Sequence, residues 1–151
     1  MMHRTAAAAL LVLLVPALAA GQTATDPFTG EWVGNISRSR LSPAMPVERV
    51  TLRITVSGDT VSMSATALMA GKELKDAETF RVDGSEKPGT LNPGIMLAAK
   101  FVGTHVLVIV ATKGGGVIRL VTHEVSADGK TLTSRTSGAV EQVIVYERRA
   151  D

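Results

Sequence analysis

The sequence predicts an all-β protein, an antiparallel up-and-down β-barrel of eight or nine strands, on three observations. Apolar and polar residues alternate with period two through much of residues 49–148, the signature of strands with one buried face. Glycine-bearing turn signals recur between these runs at short intervals, as in a meander of neighbouring strands. After residue 20 no amphipathic stretch is long enough to make a helix.

The barrel is expected to follow a signal-peptide helix. Met1-Met2-His3-Arg4 is a short basic start, Thr5 to Ala19 is an apolar run, and Ala17-Leu18-Ala19 offers small residues for a signal peptidase. The run is about 15 residues, short of the roughly 20 that a spanning helix needs, and Pro16 interrupts it. The division expected is a signal peptide over 1–19 with the cut within 19–22, a flexible mature N-terminus over 20–29, and one barrel domain over 30–151. Export from a Gram-negative cell, to the periplasm or beyond, is the implied localisation. No later apolar stretch is long enough to cross a membrane as a helix, so no stable membrane insertion is expected after cleavage.

The strands follow in order. Val50, Leu52, Ile54 and Val56 alternate with Arg49, Thr51, Arg53 and Thr55. Val61, Met63, Ala65 and Ala67 alternate with Thr60, Ser62, Ser64 and Thr66. Pairing Val56 with Val61 across Gly58-Asp59 makes a hairpin of the II′ kind. Ala70-Gly71-Lys72 turns the chain into a weaker strand over 74–82, with Phe80 and Val82 on one face. Residues 83–94 hold Gly84, Pro88, Gly89, Pro93 and Gly94, which reads as a long loop. A strand over 95–101 follows. His105 to Thr112 is apolar on both faces, as expected of a strand covered on both sides. Lys113 to Gly116 turns the chain back into 117–125. Ser126 to Lys130 is a strong turn signal, and 131–137 and 140–148 are the last two strands. Arg38 to Pro46, with Pro43 and Pro46, reads as a connection.

Composition excludes several functions. There are 16 Lys and Arg against 14 Asp and Glu, and the basic residues are scattered, so no concentrated field faces a nucleic acid backbone. Five aromatics, Phe28, Trp32, Phe80, Phe101 and Tyr146, are too few to build both a core and stacking platforms for sugars or single-stranded nucleic acid. The chain has no cysteine, which removes disulfides, thiol catalysis and cysteine metal sites. No cofactor is implied.

Gly30-Glu31-Trp32, directly before the first strand, resembles the Gly-X-Trp pattern of the lipocalins and calycins. Thr29 to Trp32, Ser37 to Pro46, Ser126 to Thr133 and Val145 to Arg148 are together similar to uncharacterised bacterial secreted lipocalin-like proteins. The resemblance implies that Trp32 plugs one barrel end and that Arg148 or Arg149 packs over it. The chain departs from true lipocalins in having no helix after the last strand and no disulfide pair. It resembles avidin only in outline, and its single tryptophan argues against a biotin site.

The polar constellation to test is His105 with His123 and Glu124, the only weak candidates for a metal. If residues 113–115 form the turn, His105 lies opposite His123; if 113–116 form it, His105 lies opposite Glu124. Either pair supplies two ligands where a site needs more, so no metal is expected. No Gly-X-Ser-X-Gly elbow, phosphate loop or His-Glu-X-X-His helix occurs. Asp76 and Glu78 share one strand face and read as a solvated pair. The sequence therefore favours a non-enzymatic barrel that binds a small apolar ligand, with Leu52, Ile54, Met63, Ala65, Ala67 and Phe80 as lining residues. The alternative is a cell-envelope interaction module with a filled barrel and functional loops at 38–46 and 83–94. A secreted enzyme using His105 is the weakest reading.

Overall fold

A computed structural model describes residues 26–150, and the expected signal peptide and cut lie outside them. The described chain is all β. Ten strands run β1 Gly30–Arg40, β2 Val47–Ser57, β3 Thr60–Met69, β4 Lys72–Arg81, β5 Lys87–Pro88, β6 Met96–Val102, β7 Val106–Lys113, β8 Gly116–Val125, β9 Thr131–Gly138 and β10 Gln142–Arg148. They form one antiparallel sheet in the order β4-β3-β2-β1-β10-β9-β8-β7-β6-β5. Each strand lies beside its neighbour in sequence, except that β1 also pairs with β10, with Trp32 opposite Arg148. The sheet curls into a nearly closed barrel.

The count exceeds the expected eight or nine because of β5. Its two residues lie inside the segment read as a loop, and Pro88 has no amide hydrogen to offer a partner on its free side. Arg38 to Arg40 likewise belong to β1, so the connection to β2 is only residues 41–46. The β2–β3 hairpin has Val56 opposite Val61, and Gly58 takes φ +60° at the first turn position, as the II′ geometry requires. The outer face of β7 is half-buried and not covered by a second layer: Val106, Val108 and Val110 are partly accessible while Leu107 and Ala111 are sealed.

The two barrel ends differ. At the end where β1 begins and β10 finishes, Trp32, Phe28, Ile54, Val61, Leu107 and Leu132 are fully buried and fill the interior. The described part of the expected flexible lead is folded against this floor. Phe28 packs on Phe101 with ring centroids 5.3 Å apart, and the Trp32 indole Nε1 donates to the Phe28 carbonyl at 2.9 Å. Arg148 stacks its guanidinium 4.1 Å from the centre of the Trp32 ring. Its nitrogens donate to the carbonyls of Gly129 at 2.8 Å, Thr29 at 2.7 Å and Pro27 at 2.5 Å. Gly30 is required here: its φ is +148°, and a Cβ would run into the Arg148 guanidinium. Arg149 instead reaches outward to Glu31.

The wall has one seam, between β4 and β6. Near the floor it is zipped by an isolated bridge between Asp83 and Lys100 and by the Gly84 amide donating to the Ala99 carbonyl at 3.0 Å. Toward the other end β5 adds to β6, with Lys87 opposite Leu97. No ladder joins β5 to β4.

Candidate ligand cavity

Above the packed floor the barrel is hollow, with a cavity of about 300 Å³. This is the small end of the range for ligand pockets. One side of its wall is apolar apart from two carboxylates of β4, and is built from Leu52 of β2, Met63 and Ala65 of β3, Phe80 of β4, Leu97 of β6 and Ile109 of β7. The alternation of these strands turns every second residue inward, and the small Ala65 leaves the space open. Of the residues expected to line a ligand site, Leu52, Met63, Ala65 and Phe80 face this cavity. Ile54 lies in the floor, fully buried, and Ala67 packs on the core without lining the cavity.

The opposite side is polar. Arg119, Val121 and His123 of β8, Ser134 and Thr136 of β9, and Gln142, Ile144 and Tyr146 of β10 line it. Register explains the patch. His123 stands opposite Ser134, Ser134 opposite Ile144, and Thr136 opposite both Val121 and Gln142. Among the described residues, two buried side-chain polar atoms have no hydrogen-bond partner, His123 Nδ1 and Gln142 Oε1. Both residues belong to this wall. An unmet buried polar atom costs about 1–3 kcal/mol. Burial also lowers the His123 pKa to about 4, so the imidazole is neutral near pH 7, and it raises that of the Tyr146 phenol.

Asp76 and Glu78 also line the cavity, from β4. Asp76 is exposed, as a solvated pair would be, but Glu78 is drawn into the seam. Its carboxylate accepts from Lys87 Nζ at 2.6 Å, from the Thr90 amide at 2.6 Å and from Thr90 Oγ1 at 2.9 Å. Burial pushes the Glu78 pKa up, but the bonds from Lys87 and Thr90 outweigh it and hold the carboxyl below its ordinary range. Lys87 Nζ also sits 5.5 Å from the centre of the Phe80 ring. Side chains thus close what backbone pairing leaves open, and residues 83–94 serve the barrel wall.

The expected pairing of His105 does not occur. The β7–β8 turn is the two-residue Gly114-Gly115, both at positive φ, and a bulge shifts the register between Ala111 and Thr112. Leu107 then faces His123 and Val106 faces Glu124. His105 lies beside Val125 and shares a 2.7 Å hydrogen bond with Thr104. Among the described residues no group of three His, Cys, Asp or Glu is placed to hold a metal ion. No helix of the described residues is long and apolar enough to cross a membrane.

The fold has solved counterparts. A Schistosoma mansoni fatty acid binding protein in complex with arachidonic acid superposes with a TM-score of 0.56 at 17% identity, covering 82% of this chain and 97% of that one. The fluorescent protein UnaG gives 0.60 at 19% identity over 81% and 97%. Fatty-acid-binding protein 1 of Echinococcus granulosus gives 0.56 at 13% identity over 82% and 98%. The likeness is one of fold. No family model matches the sequence, and no curated protein does.

Sequence reasoning missed the polar wall. The inward face of β8 reads Arg119, Val121, His123, Val125, a mixture in which no face stands out as buried. Only the register set by Gly114-Gly115 and its bulge reveals which side it takes. The Glu78 clasp left no local trace, since its partners lie nine and twelve residues on, one in the two-residue β5 and one in the loop after it.

Proposed function

We propose that this protein is a non-enzymatic carrier or sensor of a small, largely apolar ligand held inside the barrel. The observation that carries the reading is the half-hollow interior: one end is packed solid, and the other keeps a cavity walled by Leu52, Met63, Ala65, Phe80 and Ile109. A chain that fills one half of a barrel and leaves the other open retains a space that packing would otherwise remove. The fold it shares with fatty-acid-binding proteins is consistent with this reading. We further propose that residues 1–19 direct export and are removed, so that the barrel meets its ligand outside the cytoplasm.

Two measurements test the reading. Nile red, a neutral apolar dye, is expected to gain fluorescence on binding with a stoichiometry of one, and native mass spectrometry of protein purified from its exporting host is expected to show a bound small molecule. No dye binding together with no bound mass sinks it. The mass of the exported chain also reports whether the cut falls within 19–22.

A further inference from the structure

We propose that the cavity selects neutral amphiphiles, an apolar body bearing an uncharged hydrogen-bonding head such as a hydroxyl or primary amide, and that His123 and Gln142 receive the head. The inference rests on the ligand-carrying reading above and narrows it to a ligand class.

Three observations carry it. The buried side-chain polar atoms left without partners among the described residues, His123 Nδ1 and Gln142 Oε1, both belong to the wall of this one cavity. Buried polar groups are ordinarily satisfied, so two such atoms at one site mark where a guest supplies the missing bonds. Both side chains end in a broad sp³–sp² torsion and turn readily to meet it. Ser134, opposite His123 and itself buried, adds a hydroxyl beside the imidazole, and Thr136 stands opposite Gln142.

The second observation is charge. The deep part of the wall, His123, Ser134 and Tyr146, carries no cation, because burial keeps the imidazole neutral, and Gln142 stands one rung nearer the open end, opposite Thr136. An ionised carboxylate brought there would be desolvated without a counter-charge. The third is position. Arg119, the cationic member of the lining, is exposed and lies four residues from His123 along β8, roughly 13 Å away at strand rise. The lining also includes the carboxylates of Asp76 and Glu78, and only Glu78 has its own cation, Lys87. Lys87 is taken by Glu78, and Arg119 stands toward the open end, away from His123, whereas hydroxyl and amide heads need no cation.

Displacement of Nile red by 1-decanol and by decanoate at pH 8 tests this, on wild type and on His123→Leu and Gln142→Leu. Decanol is expected to displace the dye at a concentration at least about tenfold below that of decanoate. Each substitution should weaken decanol about tenfold and leave decanoate unchanged, with circular dichroism confirming the fold. Decanoate matching or beating decanol on wild type overturns the inference and leaves the carrier reading standing. Decanol affinity unchanged in both folded variants also overturns it. Failure of the dye itself to bind removes the carrier reading and this inference together. If either variant does not fold, the wild-type ratio and the other variant still decide.

Discussion

The two halves of the barrel use the same strands and the same alternation, yet one is solid and the other hollow. In the floor, large side chains meet: Trp32, Phe28, Ile54, Leu107 and Leu132 leave no room, and Arg148 caps the indole while saturating three carbonyls. A few residues further along, the inward positions fall to Ala65, to Met63 and to the polar residues of β8 to β10. Backbone geometry sets the barrel's width, and side-chain volume alone decides which half is core and which is site. Stability should therefore concentrate in the floor and ligand response in the hollow.

The largest effect is expected from Trp32→Ala, which opens a void in the floor and strips Arg148 of its stacking partner. A loss of about 3–5 kcal/mol is expected in urea denaturation followed by circular dichroism. A loss under 1 kcal/mol would mean that the floor is not where stability resides.

Next is the response to pH. His123 has its folded pKa lowered to about 4 from 6.5, so the unfolded chain binds its proton first as pH falls. The stability held by the neutral imidazole is complete above pH 6.5 and declines as pH drops toward 4. At most about 3 kcal/mol is lost over that window, because the unfolded state takes up more protons there. His123→Leu should flatten that part of the stability–pH curve, and an equally steep curve in the variant would assign the slope elsewhere.

Adding the same bulk to each half separates them further. Ala99 is sealed against the core, so Ala99→Leu should overpack it and cost about 1–3 kcal/mol in thermal or urea melts. Ala65→Leu should cost less than about 1 kcal/mol, because the cavity accepts the added methyl groups, while abolishing dye binding. Equal costs at both sites would deny the hollow.

A comparably small effect on stability belongs to the seam. Glu78→Gln keeps the shape but loses the ion pair to Lys87, at a cost of about 1 kcal/mol. Amide exchange at Thr90 should quicken while exchange across the β2–β3 ladder stays unchanged. No change at Thr90 would mean that the clasp does not hold the segment.

How far the sequence could be read follows the same division. The β2–β3 hairpin was legible because Val50 to Val56 and Val61 to Ala67 alternate strictly around a glycine turn. The plug was legible through its resemblance, as Gly30, Trp32 and Arg148 sit at fixed places in the chain. The polar wall was not, because facing depends on register: the Gly114-Gly115 turn rules out His123 as the partner of His105, and the bulge between Ala111 and Thr112 moves His105 past Glu124 as well. Nor was β5, since two residues with a proline carry no period. Asp76 and Glu78 shared a face as spacing predicted, but what holds Glu78 comes from a segment whose path no pattern describes.

The most direct test is methyl NMR of isotopically labelled protein titrated with Nile red. Intermolecular contacts and shift changes are expected at Leu52, Met63, Ala65, Ile109 and Val121, with the floor methyls of Ile54, Val61, Leu107 and Leu132 free of contact with the dye. Contacts confined to the outer surface, or no contact with any of the five lining residues, would contradict a barrel that is solid at one end and open to a guest at the other.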